Sequence, residues 1–263
     1  MIRISVVTPC FNCVEWIEET ILSIINQKFD GLEYIVVDGG STDGTLQVIE
    51  AYAKHIKIII SEQDEGQYHA IAKGFNLARG NVMCWVNAGD ILHQGALKTV
   101  ATIFDEYLEV QWLEGRNSFL SRSGMLISVR DSSSVYPNWL LRRGFFNRWV
   151  AGFLQQENMF WRRSLYEKAG GISIALKLAA DYELWLKFSV YTRLYSVDVP
   201  LGSFRLMPGE QRSSLLKKQY DEEVLSVQRH LNPMYSWVSK IFQYIPGLGL
   251  IFRICFIGIG HQF

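Results

Sequence analysis

The sequence predicts an α/β fold in which a mostly parallel sheet is flanked by helices. Short apolar, β-branched runs alternate with segments of helical period from Ile2 to Phe104, and the runs are largely apolar, most of them at consecutive positions. Small polar or acidic residues follow each run. Strands buried on both faces and joined by helices make a parallel sheet, and right-handed crossovers bring all the strand C-termini to one edge.

In order, Ile2 to Val7 is the first apolar run, ended by Thr8 and Pro9, and Val14 to Ile25 follows with Ile17, Ile21, Leu22 and Ile25 at helical spacing. The pattern repeats with Tyr34 to Val37 expected as strand and Thr45 to Tyr52 as helix, then Ile56 to Ile60 and Ala70 to Ala78, then Val82 to Val86 and Ala96 to Phe104. Beyond about Tyr107 the alternation fades into aromatic-rich sequence through Trp112, Trp139, Phe145, Phe146, Trp149 and Phe153, where periodicity assigns no elements. Ser164-Leu165-Tyr166-Glu167 reads as a capping box opening a short helix that Gly170 and Gly171 close. A further helix, Tyr182 to Phe188, follows Asp181. The stretch 235–263 is rich in Ile, Phe, Trp and Gly, but Lys240, Pro246 and Arg253 break it before the roughly 20 residues that cross a bilayer. A membrane-surface segment and a helix packed on the core or a partner both fit it.

Composition narrows the function. With 26 basic and 26 acidic residues among 263, no global field recruits nucleic acid or an anionic membrane, so an anionic ligand must be held locally. Four cysteines are too few for a disulfide scaffold, and no export signal opens the chain, so a reducing cytoplasmic location is expected. Cys10 and Cys13 form a CxxC without a second Cys or His pair at metal spacing, and are read as ordinary residues of the first strand-to-helix connection.

The strand ends carry the candidate chemistry. Thr8 and Asn12 follow the first strand, Asp38 ends the second, Asp64 follows the third, and Asn87 to Asp90 follow the fourth, all on the edge where ligands of such sheets bind. An aspartate after a strand is also a common turn or cap residue. That reading suits Asp43 in Ser41-Thr42-Asp43-Gly44, and it stays open for Asp38 and for Asp181 as the cap of its helix.

These motifs resemble the inverting family 2 glycosyltransferases of bacterial surface-polysaccharide type, which have the Rossmann-like A-type glycosyltransferase fold. The resemblance is carried by Ser5-Val6-Val7-Thr8-Pro9 with Asn12, by Glu33 to Gly39 with Ser41 to Thr45, and by Ser61 to Gly66 leading to Ala70, Lys73-Gly74 and Ala78. It continues in Trp85 to Asp90, and in Phe160 to Tyr166 through Gly170-Gly171 to Ala180 to Leu186, covering roughly residues 2 to 213. It implies a nucleotide-sugar-binding half in residues 1–106, an acceptor-binding and catalytic half in 107–213, and a helical segment in 214–263 that faces a membrane surface or a partner.

The resemblance also implies roles. Thr8, Pro9, Asn12 and Asp38 would lie at the nucleoside, with Asp64 and Lys73 closing the pocket around base and phosphate and Asn87, Ala88 and Gly89 beside the donor. Asp90 would be the surviving acid of a DxD-type motif holding Mg²⁺ or Mn²⁺, since hard cations take oxygen ligands and can bridge the phosphates of the leaving group. Asn87 and Gly89 stand where many relatives carry acids, and Met207 stands where a loop histidine is common. Arg205 or Arg212 would then contact the diphosphate. Asp181 would be the base that deprotonates the acceptor hydroxyl, and Gln156 and Glu157 would lie on the acceptor side. Phe145 stands where the QxxRW motif of processive synthases has glutamine, which favours single-sugar transfer. A catalytically silent nucleotide- or glycan-binding relative is the rival, with Asp181 against it. A sugar nucleotidyltransferase would need a Gly-rich basic loop that Thr8 to Val14 lacks.

Overall fold

The computed structural model describes residues 1–130, 136–147, 149–150, 152–207, 215–234 and 236–245. Its first sheet has strands β1 (Ile4–Cys10), β2 (Leu32–Asp38), β3 (Ile58–Ser61), β4 (Val82–Trp85), β6 (Trp112–Glu114), β9 (Met159–Arg162) and β10 (Tyr195–Ser196), in the order β10-β6-β9-β4-β1-β2-β3. Strands β3, β2, β1 and β4 are parallel, whereas β9 runs antiparallel between β4 and β6. The order steps outward from β1 to β3 and then returns to β4 on the other side of β1. That reversal opens a crevice at the C-terminal ends of β1 and β4.

The helices of the first half are α1 (Ile17–Ile25), α2 (Thr45–Ala51), α3 (Gln67–Leu77) and α4 (Ala96–Glu106). All four expected strand-helix pairs are present, with one informative difference: β1 runs on through Thr8 and Pro9 to Cys10. A proline lacks the ladder N–H. Val7 O accepts from Val86 N–H on the β4 side, while Cys10 O accepts from Gly39 N–H on the β2 side. Pro9 therefore shares the side of Val7, where the pairing with β4 has already stopped at Trp85. Gly74 lets α3 lie tightly on β1, because a Cβ there would stand 2.5 Å from Val7 Cγ1.

The stretch after Tyr107, where periodicity is silent, forms the mixed flank. Besides β6 and β9 it contributes β7 (Ser118–Leu120) and β8 (Leu126–Val129), which join β5 (Ile91–Leu92) and β11 (Gly202–Arg205) in a second sheet of order β5-β11-β7-β8. A short helix, α5 (Asn138–Arg142), and two more, α6 (Arg163–Lys168) and α7 (Ala180–Tyr191), complete it. The aromatics that hid the pattern are its core. Trp185 of α7 stacks between Trp85 of β4 and Trp112 of β6, with centroids 5.8 and 5.5 Å away, and Trp161 of β9 meets it edge-on at 5.4 Å. Such ring pairs add to an already large apolar burial and fix α7 against the sheet.

Two helix starts differ from expectation. No capping bond opens α6: the chain passes directly from β9 into the helix at Arg163, so Ser164 already lies inside its first turn. Gly170 and Gly171 close it as expected, with φ of +80° and +72°. Helix α7 begins before Asp181, with Ala179 at its cap position.

The C-terminal segment contains α8 (Lys217–Leu231) and α9 (Ser236–Tyr244). Tyr220, Val224 and Val227 of α8 are buried. In α9, Val238 and Phe242 pack on the core, whereas Trp237, Ile241 and Tyr244 are exposed. Among the described residues no helix is long and apolar enough to cross a membrane. Residues 246–263 lie outside the described residues, as do Arg148 and Arg212.

Candidate active site

The first-half candidates converge at the sheet edge. Asp38 is fully buried at the end of β2, directly opposite Ser61 of β3. Its Oδ2 accepts from Ser61 Oγ at 2.7 Å and from Ser41 N–H at 3.1 Å, while the Ser41 hydroxyl donates to Oδ1. Asn12, in a left-handed conformation at φ +47°, accepts from Thr42 N–H at 2.9 Å and donates its own N–H to Ser41 Oγ at 2.8 Å. The loops after β1 and β2 are thereby tied together. Asp43 is the expected turn residue, accepting from Thr45 N–H at 3.0 Å and from Val14 N–H at 3.0 Å. Thr8 is buried, with its Oγ1 receiving the Tyr34 hydroxyl at 3.1 Å.

Asp64 comes to the same place. Its Oδ1 accepts from Gly66 N–H at 2.7 Å, and its Oδ2 lies 2.7 Å from where a Cβ on Gly39 would be, so only glycine lets the carboxylate rest against the end of β2. Lys73 on α3 pairs with Glu62 at 2.8 Å and reaches Gln63 O at 3.4 Å, beside the loop that carries Asp64.

A second group forms around the loop between β4 and β5. Asp90 is buried, and its Oδ1 accepts from Arg205 N–H at 3.0 Å while Oδ2 accepts from the Asn87 amide at 3.3 Å. Burial pushes its carboxyl up to about 7, with the bonds from Arg205 and Asn87 opposing that rise. Gly89 has φ +106°, and Met207 Cε lies 3.5 Å from its missing Cβ, so Met207 stands directly over the acidic loop. Ala88 bridges locally to Asp90.

Arg205, expected at the diphosphate, is instead only 1% exposed. Its Nε donates to Gly89 O at 2.7 Å, one terminal nitrogen to Arg122 O at 3.0 Å, the other to Glu19, and its plane covers Trp16. The guanidinium holds the backbone of the acidic loop from below.

The second half supplies the facing wall. Gln156 accepts from the Asn87 amide at 2.8 Å and donates to Trp85 O, which pins the 3₁₀ turn Gln156–Asn158 to the end of β4. Glu157 is 3% exposed, its Oε1 has no hydrogen-bond partner, and burial followed by the charge of Asp90 and then of Asp181 keeps its carboxyl well above the usual range. Asp181 sits half-buried in the first turn of α7. Tyr182 N–H at 2.8 Å and the Tyr68 hydroxyl at 3.3 Å both donate to its Oδ1, and Oδ2 has no bond among the described residues. Burial raises its carboxyl to about 6 against those two bonds. A carboxylate in that range is mostly ionised at neutral pH, yet basic enough to take a proton from a hydroxyl.

Three positioning groups have no motif in the sequence. Gln67 donates to Asn87 Oδ1 at 2.6 Å, joining α3 to the acidic loop. Tyr68 donates to Leu178 O at 3.0 Å as well as to Asp181. Glu223 of α8 accepts the N–H groups of Leu178 at 2.9 Å and Ala179 at 3.0 Å, and so anchors the start of α7 from the C-terminal segment. A partly buried glutamate far along the chain gives no sequence signal for this.

A switch-point crevice with carboxylates on both walls belongs to the A-type glycosyltransferase fold. S. aureus TarS, solved with UDP-GlcNAc, has the same fold, with a TM-score of 0.71 at 20% identity over 97% of this chain and 73% of that one. Residues 5–170 match the model of glycosyl transferase family 2, and the chain is a member of that family. A glycosyltransferase of Haemophilus influenzae is 27% identical over 242 residues, 86% of this chain and 72% of the relative. The chondroitin synthase of Escherichia coli is 28% identical over 188 residues, 71% of this chain but 26% of the synthase, so the chain spans about a quarter of that protein.

Proposed function

We propose that this glycosyltransferase moves a single sugar from a nucleotide-diphosphate sugar to a hydroxyl of a glycan or lipid-linked saccharide, with inversion at C1. Asp181 carries the reading. Both of its hydrogen bonds fall on Oδ1, which leaves Oδ2 to take a proton, and its carboxyl is raised to about 6. TarS, of the same fold, binds UDP-GlcNAc, which supports the donor class.

In this reading Asp38 and Asp64 hold the nucleoside end, and Lys73 stands by the phosphates as a compact positive charge. The acceptor hydroxyl gives its proton to Asp181 as its oxygen attacks C1. The C1–oxygen bond to the diphosphate breaks on the opposite face, and the electron pair leaves with the nucleoside diphosphate, so no covalent glycosyl-enzyme forms.

Asp90 fits a hard divalent cation, because it is a buried carboxylate whose burial outweighs the positive charge that faces it. Among the described residues no group of three or more His, Cys, Asp or Glu is placed to hold a metal, so the nucleotide would supply much of the shell. Bound Mg²⁺ or Mn²⁺ would stabilise negative charge on the departing diphosphate.

The test is Asp181→Asn assayed with a panel of nucleotide sugars. Transfer is expected to fall by roughly 10²–10⁴-fold with nucleotide affinity retained. Turnover at the wild-type rate would remove Asp181 as the base, and nucleotide binding without turnover in the wild type would favour the silent-module reading.

A further inference from the structure

The acidic loop has one carboxylate where related motifs have more, and a spare carboxylate is buried beside it. Glu157 is locked in place from both sides. Gln156 ties its turn to Trp85 and Asn87, and Asn158 Oδ1 accepts Gly202 N–H at 2.8 Å and Leu201 N–H at 3.2 Å. Gly202 allows this contact, since a Cβ there would stand 2.3 Å from Glu157 O. On a turn held this firmly, a side chain 3% exposed with Oε1 unbonded loses hydration at that oxygen without recovering a partner there.

The partner it lacks must bring positive charge. The Asn87 amide donates both to Asp90 Oδ2 at 3.3 Å and to Gln156 Oε1 at 2.8 Å, which sets the Glu157 turn beside a second buried carboxylate. Arg205 faces Asp90 and offsets it only in part, and its guanidinium is bonded to Gly89, the Ser121-Arg122 turn and Glu19 rather than to Glu157. A sugar hydroxyl could fill the empty lone pair, but it would leave two neighbouring buried anions uncompensated. A divalent cation answers both needs, and hard cations choose carboxylate oxygen.

We infer that Glu157 is a second protein ligand of the divalent cation held by Asp90, standing in for the acids that Asn87 and Gly89 replace. This rests on the proposed donor site. It makes the metal a link between the nucleotide half and the turn that faces Asp181.

The test titrates Mn²⁺ into the full chain, following the free-ion paramagnetic resonance signal, alone and with uridine or guanosine diphosphate. Glu157→Gln and Asp90→Asn are each expected to weaken Mn²⁺ binding by roughly tenfold or more. Nucleotide affinity in a chelator stays unchanged in both, and Glu157→Gln unfolds at the wild-type temperature or above, since a buried charge has gone. Glu157→Asp, which keeps the charge, recovers part of the affinity. Mn²⁺ affinity unchanged in Glu157→Gln but lost in Asp90→Asn overturns the ligand assignment and leaves the donor site standing. Equal losses in the Gln and Asp variants overturn it too, because packing rather than ligation would then be at work. A wild type that binds neither nucleotide, with or without Mn²⁺, sinks the donor reading and this inference with it.

Discussion

The two halves of the crevice are built on different principles. In the first, the candidates other than Lys73 sit at the end of a parallel strand or on the loop after it, and small residues at fixed positions shape the pocket. Asp38, Asp64 and Asn12 are tied by hydrogen bonds that span only neighbouring loops. In the second, Glu157 and Asp181 ride on a 3₁₀ turn and a helix start, the turn held by Trp85, Asn87 and Gly202 and the helix by an aromatic core together with α8. A binding pocket can be assembled from strand ends that a sheet aligns automatically. A base must be aimed across that pocket, and aiming requires a rigid support from elsewhere in the chain.

The contrast predicts that damage to the second half falls on turnover or stability, and damage to the first on donor affinity. Asp181→Asn should have the largest effect, roughly 10²–10⁴-fold in kcat with donor affinity little changed. Trp185→Ala removes the ring at the centre of the stack and should cost about 3–5 kcal/mol, read as a fall in the denaturant midpoint. Asp38→Asn weakens a charged acceptor of three donors, and an effect of about 1.5–3 kcal/mol should appear in nucleotide affinity rather than in turnover at saturating donor. Gly74→Ala should cost about 1–3 kcal/mol by driving α3 off β1, and because Lys73 rides on that helix, the unfolding transition and the donor affinity should fall together while kcat is retained.

The smallest effect concerns pH. The base must be ionised to accept a proton, so kcat should be flat above about 6 and fall about tenfold per pH unit below it. The sign for stability is the reverse of the usual carboxylate case. Burial raises Asp181 above its unfolded value, so its contribution to folding is most favourable at low pH and is lost as pH climbs from the ordinary carboxylate range through about 6. Loss of the low-pH limb in Asp181→Asn, and its persistence in Asp38→Asn, would sharpen the division of labour. A shared limb would break it.

Legibility follows the same line. The four strand-helix pairs were readable because buried parallel strands must be apolar throughout and their connecting helices must be amphipathic. Asp38, Asp64 and the Asn87 to Asp90 loop were readable because position after a strand is itself a local property. The flank after Tyr107 was not, since its short strands pair with partners far along the chain and its tryptophans face one another rather than repeat. Arg205 illustrates the limit. As a residue type it suits a diphosphate, but only the fold decides that its guanidinium is enclosed by Gly89, Arg122 and Glu19.

What the sequence determined by itself is the parallel half-sheet, the edge on which chemistry collects, and the family to which the chain belongs, because each depends on local period and on motif order. Only the tertiary structure decided that Oε1 of Glu157 is buried without a partner, that Glu223 of α8 anchors the start of α7, and that Oδ2 of Asp181 is left uncommitted. The physical reason is common to all three. Desolvation, charge coupling and the sharing of backbone donors depend on distance in space, and residues 44 or more positions apart along the chain meet there with no periodicity to announce them.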